Sequence, residues 1–417
     1  MSSKSIAFGK FVRKHITNHK SFSRWMRAGI GLESSRRWLV ANLKPSYTRW
    51  VDYIATKTIS EALKGEKVAW VNLFFPGEIL ATFGLKAVSA EGLSGTLSSM
   101  HLDDIAIQKA ESIGINRSLC TFHRASVGAS EMNLFPAPIA VFTTNILCDG
   151  NLPTFAFHAN CRKRPFFVID VPKHISKESE EYLVKQIEDM IAELESLFKS
   201  SFDYKYFKKL ISTERETLQI LRDAYRKLSH NPLRMKLYQH VNALYSLHLR
   251  GYSSEFNKAV KVLSKQLDRE QEQPRKRILW LHLVPYYDSE LYNIFSPSSD
   301  IAVVTSELEW DSLEVDLDPE HPVRSVARKL LMNPEIGPLE RRIKFVTQLA
   351  RDFSVDAVIH FNHWGCKQSS GAVGLIKRRF EELRIPFLSL DGDCVDHTSS
   401  SIGQYKTRVE AFLEMIG

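Results

Sequence analysis

The chain has 417 residues, 44% of them apolar, 25% charged and 11% aromatic, with a formal net charge of +8. That composition is globular, and the length exceeds one ordinary core, so two or three domains are expected. No apolar run approaches the roughly 20 residues that cross a bilayer, and the N-terminus has too short an apolar stretch for a secretory signal. A cytoplasmic location is the expectation.

The charge is uneven. Residues 1–67 hold fourteen Lys or Arg against four Asp or Glu, so this segment carries +10 and the remainder −2. Such an arm suits nucleic acid, an acidic membrane face, an acidic partner or cofactor phosphates, or is simply a solvated basic face. No nucleic-acid-reading motif accompanies it, and no nucleic-acid partner is expected.

In chain order, residues 1–65 are polar and aromatic, with Trp25, Trp38 and Trp50, and read as short helices capped by Ser and Thr. The run Val68–Phe74 reads as a strand, and Pro76-Gly77-Glu78 opens a helix through Leu85. Lys86–Ser89 is a second strand, His101–Ile113 a helix, Pro138–Thr144 a third strand ending near Cys148, and Phe166–Asp170 a fourth. Alternation at this spacing predicts a parallel, doubly wound sheet. Glu178–Phe198, Tyr204–Leu228 and a third stretch to about Leu267 carry helical periodicity, closed by the polar linker Arg269–Arg277. Strand signals resume at Ile278–Val284, Ile301–Thr305, Ala357–Phe361 and Pro386–Leu390, and a helix over Gln404–Ile416 closes the chain. The expected fold is α/β, with two doubly wound parallel-sheet (flavodoxin-like) domains, an N-terminal helical segment and a helical insertion. The boundaries fall at 1–65, 66–175, 176–275 and 276–417.

Five cysteines are present: Cys120, Cys148, Cys161, Cys366 and Cys394. An odd number in a long chain without a signal peptide disfavours a disulfide framework. No C-x-x-C pair exists, so any shared metal site must be gathered by the fold. The segment from Asp356 to Gly371 is the most informative. Its apolar run ends in His363-Trp-Gly-Cys366, and Ser369-Ser370-Gly371 then introduces a helix over Ala372–Leu383. A thiol at the carboxyl end of a strand, beside a helix start, sits where α/β proteins place chemistry. Cys120 and Cys148 also lie beside turn residues, Cys148 in Cys148-Asp149-Gly150. Each alone reads as a buried inert thiol; together they raise a metal site.

Four stretches resemble the 2-hydroxyacyl-CoA dehydratase and benzoyl-CoA reductase family. They are Phe75-Pro-Gly-Glu-Ile-Leu-Ala-Thr-Phe-Gly84, Cys120 with Cys148-Asp-Gly150, His363-Trp-Gly-Cys-Lys-Gln368, and Leu390-Asp-Gly-Asp393 continuing to Gly403-Gln-Tyr-Lys-Thr-Arg-Val-Glu-Ala-Phe-Leu-Glu414. The similarity covers about residues 66–417 and leaves the basic N-terminal segment unexplained.

The resemblance implies a [4Fe–4S] cluster on Cys120, Cys148 and Cys366, with one iron lacking a protein thiolate and open to water, hydroxide or a substrate oxygen. It implies elimination of water from a 2-hydroxyacyl-CoA through a ketyl radical anion, a homologous partner subunit, and a separate ATP-hydrolysing iron–sulfur activator protein. The chain has no G-x-x-x-x-G-K-[ST] loop of its own, which fits an external ATPase. A benzoyl-CoA-type reductase subunit and a non-catalytic or electron-transfer paralogue are the alternatives. A double-cubane centre would want about six thiolates. Glu78 and His363 are the acid–base candidates. A first-turn Glu favoured by the helix dipole and a packed histidine are the competing accounts, and Arg408 and Glu410 read as structural contacts. Cys161 and Cys394 read as structural thiols, although the Asp391–Asp396 loop brings Cys394 within possible reach of the site.

Overall fold

A computed structural model of the chain describes residues 3–270, 272–287, 289–399 and 402–417. The N-terminal segment is helical but not in short pieces: α1 (Ser3–Arg13) is followed by the 25-residue α2 (His19–Leu43) and the 18-residue α3 (Tyr47–Lys64). The Asn18 and Ser46 side chains accept first-turn amides of α2 and α3, the capping that their residue types favour. Gly29 does not break α2. It makes room for the Phe8 ring, which a Cβ there would overlap.

The first sheet is built from β1 (Val68–Val71), α4 (Gly77–Thr82), β2 (Lys86–Ser89), α5 (Ala90–Ser99), α6 (Asp103–Ser112), α7 (Thr121–Glu131), β3 (Ala140–Thr144), α8 (Asn151–Arg162) and β4 (Phe166–Ile169). Its strands run parallel in the order β2-β1-β3-β4. β1 and β3 are buried at every residue, as expected of a sheet covered on both faces.

Four helices then intervene: α9 (Lys177–Phe198), α10 (Tyr204–His230), α11 (Leu237–Arg250) and α12 (Ser254–Gln266). The expected third stretch is therefore two helices. Lys276 and Arg277, read as linker, already belong to a strand, and Gln271 of that linker lies outside the described residues. The second sheet comprises β5 (Lys276–Leu281), α13 (Ser289–Ile294), β6 (Ile301–Ser306), α14 (Pro322–Met332), α15 (Leu339–Asp352), β7 (Ala357–His363), α16 (Lys367–Ser370), α17 (Val373–Glu382), β8 (Phe387–Gly392) and α18 (Ile402–Met415). Its order is β6-β5-β7-β8, again all parallel.

The fold is thus α/β, with two four-stranded parallel sheets flanked by helices. One continuous apolar core joins them: Val71 and Phe142 of the first sheet and Leu279 and Val358 of the second share it with Leu194 and Leu263 of the intervening helices. In each sheet the chain winds outward in opposite directions from a central strand pair, β1/β3 and β5/β7. The carboxyl ends of such a pair border the crevice where open α/β sheets bind ligands.

The serines after Cys366 depart from expectation. Cys366 itself is the N-cap of α16, a single helical turn. The Ser370 hydroxyl donates back to the Cys366 carbonyl at 2.8 Å, and Ser369 to the Phe361 carbonyl at 3.3 Å. These hydroxyls tie the turn down instead of capping α17. Serine side chains find backbone carbonyls this way when no free amide is within reach.

α7, which begins at Cys120, is seated by close backbone contact with α6: a Cβ on Gly128 would overlap the Ala106 carbonyl. Alanine is the better helix former by about 1 kcal/mol, but overpacking costs about 1–3 kcal/mol. Gly128→Ala is therefore expected to lower stability by about 1 kcal/mol or more, read as a reduced denaturant midpoint at unchanged m-value. A stabilised variant would show that the helix pair yields freely.

Candidate metal centre and buried charge cluster

The loop after β3 is held from β1. The Asn72 amide donates to Thr144 Oγ1 and to the Ile146 carbonyl, both at 3.0 Å, and accepts the Thr144 N–H at 2.9 Å. Asn151, at the start of α8, donates to the same Ile146 carbonyl at 2.9 Å. This stapled loop presents Cys148, whose sulfur accepts the Gly150 N–H at 3.3 Å. Cys120 is the N-cap of α7. Its approach is fixed by Arg124, which bonds the Leu119 carbonyl at 2.9 Å and Glu111 at 2.5 Å. Cys366 follows β7 through Gly365, whose φ of +76° is left-handed. A Cβ on Gly365 would come within 2.9 Å of the Cys120 backbone, so the glycine allows the two cysteine segments to touch.

Three thiols from separate segments, contributed from both sheets, therefore face one region. Each sits at or just before the first turn of a helix. Cys120 and Cys366 are 7% and 8% exposed, and Cys148 is partly buried. Burial pushes all three thiols up, Cys366 to about 11; Cys366 and Cys148 raise Cys120 further, and Cys148 raises Cys366. Amides at the helix starts, those of Phe122, Gly150 and Asn151, and Gln368 and Ser369, offset part of the rise. A set of buried thiols held up in this way becomes a set of thiolates only against added positive charge. That donor chemistry fits a metal group.

Each thiol also meets one imidazole. The Nε2 atoms of His363, His123 and His282 lie 3.1, 3.5 and 3.6 Å from the sulfurs of Cys120, Cys148 and Cys366. Burial lowers all three imidazoles, His123 to about 4, so they are neutral at physiological pH. Cys394 is fully buried behind this group, close enough to Cys120 and Cys366 that each sulfur's charge raises its thiol. Cys161 stands apart, its thiol donating to Glu131 at 3.5 Å.

The three sulfurs do not converge on a single ion. Among the described residues, the side chains whose ligand atoms all lie within 4.8 Å of one another are Asp103, Asp104 and His397. They are already engaged, His397 with Asp103 at 2.8 Å and Arg13 with Asp104. A polynuclear cluster asks for spread sulfurs, because each thiolate binds a different iron.

Glu78 lies elsewhere along the seam, fully buried at the start of α4. Lys329 of α14 donates to it at 2.6 Å and to Glu214 of α10 at 2.8 Å. Two carboxylates thus share one buried ammonium, and the second oxygen of each has no hydrogen-bond partner among the described residues. Burial raises Glu214 to about 7, with Lys329 opposing and Glu78 adding to the rise. A second buried set joins the sheet to the Cys366 turn. Arg342 pairs with Glu307 at 2.8 Å and Glu335 at 3.2 Å and donates to the Gln368 carbonyl at 2.9 Å. Glu307 also accepts the His282 N–H at 2.7 Å. Arg408 contributes a structural contact, bonding the Ser389 carbonyl at 2.6 Å.

The family model for "2-hydroxyglutaryl-CoA dehydratase, D-component" matches residues 72–416, a span that contains every one of these residues. The chain belongs to that family. Relatives include the (R)-phenyllactyl-CoA dehydratase alpha subunit of Clostridium sporogenes, 26% identical over 85% of this chain and 90% of that protein. The alpha subunit of (R)-2-hydroxyglutaryl-CoA dehydratase of Acidaminococcus fermentans is 21% identical over 84% and 92%. The lactoyl-CoA dehydratase alpha subunit of Anaerotignum propionicum is 24% identical over 85% and 91%. These names describe hydro-lyases, and the recognition of an acyl-CoA dehydratase relative in the sequence is borne out. No described helix is long and apolar enough to cross a membrane.

Sequence reasoning about this dehydratase-family chain did not reach His123, His282, Lys329, Glu214 or Arg342. His123 stands three residues after Cys120, the one signal that was available. The others lie on helices or strand ends far along the chain from their partners.

The charge cluster generates a pH prediction. The folded-state pKa of Glu214 lies above its unfolded value, so its contribution to stability is full below about 4.5 and is lost as pH rises through about 7. Glu214→Gln is expected to remove that part of the decline. Denaturation midpoints of variant and parent should then diverge between these pH values, the variant gaining at the alkaline end. Parallel curves would show that Glu214 does not change protonation between these pH values.

Proposed function

We propose that the chain is an iron–sulfur subunit of a 2-hydroxyacyl-CoA dehydratase, with Cys120, Cys148 and Cys366 holding a [4Fe–4S] cluster. The observation that supports this most is the meeting of three thiols from separate segments, borne from both sheets, at a seam that the family match spans. When bound, such a cluster supplies a one-electron couple and, with three protein thiolates, one iron open to a substrate oxygen.

The reaction explains why a one-electron group is wanted. The leaving hydroxyl is α to the thioester carbonyl, and the proton to be removed is the unactivated β one. One electron added to the thioester gives a ketyl radical anion, hydroxide then leaves the α carbon, and the β proton becomes acidic. Loss of that proton and return of the electron leave the enoyl thioester and water, with no net redox change. The electron comes from outside, from an ATP-hydrolysing activator, and a homologous subunit completes the enzyme; the alpha-subunit names of the relatives support a partner.

This chain's own residues keep the site dry, hold the thiols and handle protons. Glu214, raised to about 7 and coupled through Lys329 to Glu78, has the poise of a general base near neutral pH. Glu78 is our candidate to pass that proton on. His363 is placed against the thiols, with both ring nitrogens already engaged, so it acts through the thiols and not as a proton carrier.

A second reading has one observation in its favour. Cys394 approaches Cys120 and Cys366, and a fourth thiolate would close the open iron and leave an electron-transfer subunit. Anaerobic reconstitution separates the two. The dehydratase reading expects about four irons per chain, retained by Cys394→Ser and largely lost by Cys366→Ser. It also expects water loss from a 2-hydroxyacyl-CoA when partner and activator are added. Iron lost equally in both variants would favour the closed site. An iron-free chain would end both readings.

A further inference from the structure

Three imidazoles stand against the three thiols, one to each sulfur, and the His363–Cys120 pair is the best defined. The Cys394 N–H donates to His363 Nδ1 at 3.0 Å, so Nδ1 carries the lone pair and the ring proton sits on Nε2. That Nε2–H faces Cys120 Sγ at 3.1 Å, with Thr121 Oγ1 the longer contact at 3.4 Å. The tautomer is therefore set by the backbone of the loop after β8, and the ring is held edge-on by Phe122 with centroids 5.4 Å apart. His123 approaches Cys148 at 3.5 Å and His282 approaches Cys366 at 3.6 Å. His282 stacks in turn on His363, with centroids 6.3 Å apart.

We infer that His363, His123 and His282 are positioning residues that donate one hydrogen bond to each cluster thiolate and thereby set the cluster's reduction potential. The inference rests on the proposed cluster. Reduction adds negative charge to a group that is buried and already bears thiolates, so burial by itself drives the potential down. Donors aimed at the sulfurs stabilise the reduced state more than the oxidised one and raise it again. A neutral imidazole serves here because it offers a strong N–H without a buried charge. At His363 the two nitrogens let one backbone amide fix which of them donates.

The test uses the full chain, reconstituted anaerobically with iron and sulfide, and reads midpoint potential by redox titration followed by electron paramagnetic resonance. His363→Phe removes the donor, and His363→Gln keeps an N–H on a side chain of related reach. The expected result is iron content equal to wild type in both, a shift to lower potential in the Phe variant, and recovery of most of that shift in the Gln variant. His123→Phe and His282→Phe should shift the same way by less, as their longer contacts require. An unchanged potential in His363→Phe at full iron content overturns the inference. So does loss of iron from both His363 variants while circular dichroism stays native, since the imidazole would then be a ligand. A wild-type chain that takes up no iron sinks the cluster reading itself, a distinguishable failure.

Discussion

The structure depends on holding three thiols where burial makes each harder to ionise and where Cys148 and Cys366 add to the rise at Cys120. Desolvation and repulsion act in the same direction, and the amides at three helix starts offset only part of them. Such an arrangement costs free energy in an empty protein and gains it when positive charge arrives, because metal binding and thiol deprotonation are coupled. Gly365 is the geometric condition for it. With a Cβ at that position, the turn before Cys366 would collide with the Cys120 backbone.

The seam between the sheets is also where the protein buries its ions. Arg342 between Glu307 and Glu335 is almost inaccessible to solvent, and Lys329 between Glu78 and Glu214 is largely buried. Apolar side chains of like volume would often stabilise such sites as well or better, so stability is a weak account of them. Their positions are more informative. Arg342 reaches the Gln368 carbonyl beside Cys366, and its partner Glu307 takes the His282 N–H. One carboxylate and one guanidinium therefore tie the end of β5 to the turn that carries Cys366. The other set sits at the start of α4 and bridges to α10 and α14, elements that belong to neither sheet's strand layer.

What could be read from the sequence follows the range of the interactions. The buried strands were legible because continuous apolar runs bounded by turn residues are local signals, and Lys86–Ser89 matches residue for residue. β7 extends two residues past its apolar run, to His363, because pairing with β8 continues through Asn362↔Asp391 and His363↔Gly392. The three cysteines stood out only as a group, through the family resemblance of the stretches around them. The rest of the site was not legible. Whether a lysine on α14 pairs with a glutamate on α4 is decided by helix packing across 251 positions of sequence, and no periodicity carries that information. The length of α2 was not legible either: the Phe8 ring that gives Gly29 its purpose lies on another helix.

Under the proposed function, the two buried groups would divide the work that the chemistry demands. A one-electron couple needs donors to sulfur and no free water. Proton transfer needs a carboxyl whose affinity lies near neutral, which means a second carboxylate and a cation close by. Placed together, the carboxylates' charge would add to that of the thiolates and lower the potential further, while the cluster's charge would push the carboxyl pKa out of range. Both are long-range effects in a low-dielectric interior. Lys329 confines the first problem by matching one charge to two carboxylates, and Arg342 stands beside Cys366 as a counter-charge on the thiol side. Under the proposed function, the distribution of buried cations, one per group, would let electron and proton chemistry share a single seam.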